Sequence, residues 1–185
     1  MTTTRLAIAS AAVLALTACN TQDNTAEAPA ESTTTPAATP TPTPAASSPQ
    51  SFVDTVAASD MYEIEAAKLA KDMGKSDKVK AFAAMMVKDH TTSSSDLRAA
   101  VAAAGNGLAF APALTPLQQA HLDQLRGAGD NFDAMYAQQQ VDAHEAALEL
   151  LQAQAQGGTV EQIKTFAAKA VTVVEGHLAE ARKLP

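Results

Sequence analysis

The sequence predicts an all-α protein built on four long helices, and three observations predict it. Alanine supplies much of a 46% hydrophobic content, while aromatics make up 4% and Trp is absent. Ala is the best helix former and a weak strand former. No run of alternating β-branched residues occurs in the chain, so the period-two signal of a half-buried strand is missing. From Ser51 onward, apolar residues instead recur at about 100° per residue, the helical period.

The first helix is expected from Ser51 to Met73, with Phe52, Val56, Glu63, Ala67 and Ala70 on one face. Gly74 ends it, and Ser76 is placed to cap the second helix, which runs to Ala104 with Val79, Phe82, Met86, His90, Leu97 and Val101 aligned. The stretch "GNGLAFAPALTP" breaks the chain, and Thr115-Pro116 opens a short helix to Arg126. A third long helix follows from Asn131 to Gln156 and stops at Gly157-Gly158. Thr159 is expected to cap the last helix, striped by Val160, Ile163, Ala167, Ala170, Val174, His177 and Ala181. Four such helices make a four-helix bundle. The residues between the second and third long helices suffice for a crossover, with the extra short helix inside it. That connection gives a ferritin-like order in place of simple up-and-down.

The front of the chain reads as an address. "MTTTRLAIASAAVLALTAC" carries one basic residue, Arg5, then an apolar run from Leu6 to Leu16. Spanning a bilayer takes about 20 residues, so the run is too short and reads as a signal peptide over residues 1–18. It ends in Leu16-Thr17-Ala18-Cys19, which resembles a bacterial lipobox, with Cys19 as the acylated residue and the membrane as partner. Cys19 is the only cysteine, so no intramolecular disulfide forms, and lipidation gives an exported lone thiol a use. The competing reading is plain secretion to the periplasm with cleavage after Ala18. Residues 19–50, rich in Thr, Pro, Ala and Ser, cannot bury enough surface to offset ordering entropy and read as a disordered tether. The folded domain is 51–185. With a formal charge of −7 and no basic run, the chain gives phosphate nothing to bind and is not expected to take nucleic acid.

Each long helix turns one polar residue inward. Glu63, His90 and His177 fall within the apolar stripes of their helices, and His144 lies on the same face as Asp133, Gln140 and Leu151, with Tyr136 near its edge. Glu63 and His90 stand at comparable distances from the Gly74 turn, and His144 and His177 from the Gly157-Gly158 turn, so the four meet near mid-bundle at about 1.5 Å of rise per residue. Three imidazoles and a carboxylate suit Zn²⁺, Cu²⁺ or Fe²⁺. Glu63, His90, His144 and His177 are therefore the candidate ligands, with Asp133, Tyr136 and Gln140 behind them. The rival reading is a metal-free network that satisfies itself and fixes helix register. A di-iron centre is not expected, since that needs Glu-x-x-His pairs and Val87, Val141 and Val174 precede the three histidines at that spacing. No nucleophile elbow, CxxC or phosphate loop is present, so nothing names an enzyme. His121 on the short helix reads as a surface residue.

At "SDMYEIEAAKLA", "FAAMMVKDHTTSSSDL", "FDAMYAQQQVDAHEAALEL" and "FAAKAVTVVEGHLAEA" the chain resembles a bacterial envelope family of ferritin-like fold catalogued as a domain of unknown function (number 4142). The resemblance covers 51–184 and implies export, a ferritin-like bundle and recurrent positions at Glu63, His90, Asp133, Tyr136, His144 and His177. That family often has Leu-Pro five residues before the last His; here Val171-Thr172 stands instead, and the last helix should be unkinked. The family brings no activity with it. The expectation is an exported, lipid-anchored domain holding a transition metal in an envelope-stress or metal-handling role. The alternative is a structural or protein-interaction module with an envelope protein as partner. A metal-dependent enzyme is a third reading.

Overall fold

A computed structural model describes residues 45–185. The signal peptide read at 1–18, the anchor at Cys19 and the tether up to residue 44 lie outside the described residues. Five α-helices follow: α1 Pro49–Met73, α2 Asp77–Ala104, α3 Pro116–Gly127, α4 Phe132–Gly157 and α5 Glu161–Ala181, with a 3₁₀ turn at Gly129–Asn131. There is no strand among the described residues.

The helix ends follow local chemistry. Ser48 Oγ accepts from Ser51 N and Pro49 occupies the first turn, where a missing N–H costs nothing. α1 thus starts two residues before the stripe reading placed it. Ser76 caps α2 by accepting from Lys78 N. Thr115 and Gln118 form a reciprocal capping box at α3. Thr159 does not cap α5: the cap residue is Val160, and no side chain bonds the free N–H groups there. Gly74 allows a close approach, because a Cβ there would lie 2.5 Å from Ala70 O and 2.9 Å from Val79 Cγ1. α5 runs unbroken through Val171-Thr172.

Packing comes in two hairpins, α1 on α2 and α4 on α5, joined by α2 against α5 and α1 against α4, with α3 laid on α1 and α4. Two apolar clusters fill the interior. One gathers Phe52 and Val56 of α1, Leu97 and Val101 of α2, Leu151 of α4 and Ile163 and Phe166 of α5. The other gathers Tyr62 and Ala66 of α1, Phe82 and Met86 of α2, Phe132 and Tyr136 of α4 and Ala181 of α5. Sequence order within the clusters gives direction: α2 and α4 run the same way, and α1 and α5 run opposite to them. Residues 105–131 therefore traverse the length of the helices. At one end Gln50 exchanges two hydrogen bonds with Ala109, of 2.9 and 3.0 Å; at the other Lys75 pairs with Asp130.

Between the two clusters every long helix contributes buried polar groups: Asp60 and Glu63 from α1, His90 from α2, Gln140 and His144 from α4, and His177 from α5. The core is split by a polar layer.

Candidate metal centre

Helix geometry places the side chains of that layer. Asp60 and Glu63 are three residues apart on α1, hence on neighbouring sectors of one face, and Gln140 and His144 are four apart on α4. His90 and His177 project toward α4 from α2 and α5. The ring centroids of His144 and His177 are 5.4 Å apart, those of His90 and His177 5.6 Å, and those of His90 and His144 5.8 Å. One ring nitrogen from each lies within 4.8 Å of the other two. All three residues are buried, at 8%, 2% and 4% exposure for His90, His144 and His177.

Each imidazole is held from behind. His90 Nδ1 donates to Asp60 Oδ1 at 2.8 Å, His144 Nδ1 to the Gln140 carbonyl at 2.8 Å, and His177 Nε2 to Asp89 Oδ2 at 3.1 Å. Ser94 Oγ donates to the second oxygen of Asp60 at 3.2 Å. Carboxylates and carbonyls only accept, so in each neutral ring the opposite nitrogen carries the lone pair. Those opposite nitrogens, His90 Nε2, His144 Nε2 and His177 Nδ1, are buried with no hydrogen-bond partner among the described residues. An imidazole with one nitrogen fixed by an acceptor and the other free is the arrangement that metal-ligating histidines adopt.

The chain matches the family model described as "Domain of unknown function (DUF4142)" over residues 33–184. It belongs to that family. No curated protein and no solved structure matches it. The description of the DUF4142 family assigns no activity, so the chemistry of this member is argued from its own side chains.

Electrostatics separates the three rings of this DUF4142 chain. Burial, followed by the charge of His90, pushes His144 down to about 4 against the pull of the Gln140 carbonyl. His177 is lowered as well, by burial first and then by its two histidine neighbours, although Asp89 opposes this. Burial would lower His90 too, but the Asp60 bond and the charges of Glu63, Asp60 and Asp89 outweigh it and hold His90 above the usual imidazole range. Burial raises Glu63, and Asp60 adds to this, against the lowering influence of His90, Gln140 and His177.

Of the residues singled out in the sequence, the structure brings His90, His144 and His177 together. Glu63 sits beside them, 1% exposed, with Oε2 accepting from Gln140 Nε2 at 2.7 Å. It is not part of the group of converging ligand atoms. Gln140 thus supports the site twice, through its carbonyl and its amide. Tyr136 is buried two turns before His144, stacked on Phe132, and Phe82 lies edge-on to both Tyr136 and His144.

Asp133 is a correction. It lies in the first turn of α4 and accepts from Lys75 N at 3.0 Å and Ser76 N at 2.8 Å, so it fastens the α1–α2 turn and plays no part behind the histidines. Asp133→Ala is expected to cost about 0.5–1.5 kcal/mol through two lost hydrogen bonds at a partly exposed turn and to leave metal affinity unchanged, as checked by urea unfolding and Zn²⁺ titration of the same preparation. His121, read as a surface residue, is half-buried edge-on to Tyr62. The pattern reading did not single out Asp60 and Asp89. Asp60 offered a signal, since it lies one turn before Glu63 near the same stripe; Asp89 offered none, because its role depends on α5 lying alongside.

Proposed function

We propose that this chain is an exported, lipid-anchored protein of the bacterial envelope whose ferritin-like four-helix bundle holds one transition-metal ion at His90, His144 and His177. The observation that carries the metal reading is the set of three buried imidazoles, each oriented by an acceptor on one nitrogen and free on the other. Leaving three such nitrogens unpaired in the core is costly; a bound cation would give them a partner. Imidazole suits Zn²⁺, Cu²⁺ and Fe²⁺. The bundle assignment is supported by the crossover of residues 105–131 between parallel α2 and α4. Anchoring rests on the lipobox-like Leu16–Cys19 and the absence of any other cysteine. A domain of this kind on the periplasmic side of a membrane would serve metal handling or stress protection.

The protein purified without affinity tag or chelator, and retitrated with Zn²⁺, Cu²⁺ and Fe²⁺, is expected to hold about one ion per chain by elemental analysis. Retention of that ion by a His90→Ala/His144→Ala variant would sink the assignment. Asp60→Asn gives a finer check: it weakens the acceptor behind His90, and loss of such an orienting carboxylate lowers metal affinity about 10- to 100-fold, read by competition with a chromophoric chelator.

A second reading is favoured by the Asp60–His90 pair, whose side chains are 3% and 10% exposed. Together with Ser94 it forms a network that would specify helix register without an ion, making the domain a structural or protein-interaction module. In that case His144→Ala lowers stability in ion-free buffer and chelators have no effect.

A further inference from the structure

The three imidazole nitrogens leave a tetrahedral ion one donor short. No Asp or Glu oxygen joins them at the 4.8 Å spacing among the described residues, and Asp60 and Asp89 are engaged on the far nitrogens of His90 and His177. Glu63 is the remaining carboxylate beside them, and Tyr136 Oη is a further buried oxygen without a partner among the described residues. Glu63 Oε2 is pinned by Gln140, while Glu63 Oε1 is buried with no partner among the described residues. The Gln140 side-chain oxygen is in the same condition. Beside three ring nitrogens that a cation can take, with His90 giving up its proton to do so, the pocket presents two acceptors that want hydrogens. A group that serves both gives a lone pair to the ion and a hydrogen to a carboxylate. Only a protic donor does that, and the buried setting limits its size. Asp60, Asp89, His90 and His177 also line a cavity that opens to the surface, with Asp89 itself 26% exposed at its side chain; His144, Gln140 and Glu63 do not line it, and the free ring nitrogens are buried.

Resting on the metal reading above, we infer that the fourth position is an exchangeable one, taken by a water-sized, protic oxygen ligand that donates a hydrogen bond to Glu63 Oε1. Glu63 is then a positioning residue for that ligand and does not bind the ion. Such a site keeps one exchangeable position and differs from a closed four-ligand structural site.

The test uses the full chain loaded with Cu²⁺ and equilibrated in water enriched in oxygen-17, read by electron paramagnetic and electron–nuclear double resonance. Couplings to three imidazole nitrogens are expected together with an oxygen-17 coupling of a directly bound oxygen. Glu63→Gln, which keeps the side-chain shape, is expected to keep the oxygen-17 coupling and to shift the couplings of the exchangeable protons. Absence of the oxygen-17 coupling overturns the inference; if Glu63→Gln then also changes the copper g-values, Glu63 itself is the fourth ligand and the metal reading survives. Exchangeable-proton couplings identical in the two proteins overturn the bond to Glu63. Copper bound by fewer than three imidazoles, or not at all, overturns the metal reading and this inference with it.

Discussion

Replacing His144 with alanine is expected to reduce Zn²⁺ affinity by at least about 100-fold, beyond the 10- to 100-fold that loss of an orienting partner produces. His144 is one corner of a nearly equilateral triangle of rings, with centroids 5.8 Å from His90 and 5.4 Å from His177, and two imidazoles alone do not define a site. The effect separates from folding. The lost ring leaves a cavity beside Phe82, which destabilises, but it also removes a buried nitrogen that has no partner among the described residues, which relieves a cost. These oppose each other, so melting in ion-free buffer should move by only a few degrees. Saturating Zn²⁺ should then stabilise the parent protein by about 2.7 kcal/mol at 100 times its Kd and the variant hardly at all. Thermal melts with and without Zn²⁺ check both halves. Equal stabilisation of the two proteins would place the ion elsewhere.

The largest loss of stability is expected from Phe52→Ala. Phe52 is fully buried at the start of α1 and meets Phe166 of α5 edge-on, with centroids 6.3 Å apart. It shares its cluster with Leu97, Leu151 and Ile163, so its removal empties a space bounded by four helices that cannot easily close. Truncation of a core Phe costs about 3–5 kcal/mol, a large part of the total stability of a single domain. The polar layer begins two turns further along α1, at Asp60, so Zn²⁺ affinity of the folded fraction should be unchanged. Urea unfolding with a Zn²⁺ titration at low urea tests this. A coupled loss of affinity would mean that the apolar end and the polar layer move as one.

How much of this was legible before folding depends on how local each signal is. Helix ends written in one or two residues, such as Gly74, Thr115-Pro116 and Gly157-Gly158, were readable, as was the inward direction of Glu63, His90, His144 and His177. Direction alone does not name a partner. Asp133 lies on the same side of α4 as His144, yet it sits three turns away at the start of the helix, where the N–H groups of Lys75 and Ser76 capture its carboxylate. Thr159 has the chemistry of a cap, but the chain turns so that Val160 takes the position. Glu63 lies inward as its stripe indicated, but the stripe did not show its partner, the amide of Gln140 arriving from α4. Asp89 escaped because its meaning comes from α5, 88 residues later in the chain. Periodicity gives the face, and only packing gives the pair.

Whether three histidines on three helices hold one ion is read by X-ray absorption at the zinc edge of the full chain loaded with one equivalent of Zn²⁺. A first shell of nitrogen and oxygen at about 2.0–2.1 Å is expected, with outer-shell scattering from three imidazole rings that falls to two in the His177→Ala variant. A first shell without imidazole scattering, or a spectrum unchanged by that substitution, would contradict the three-histidine site.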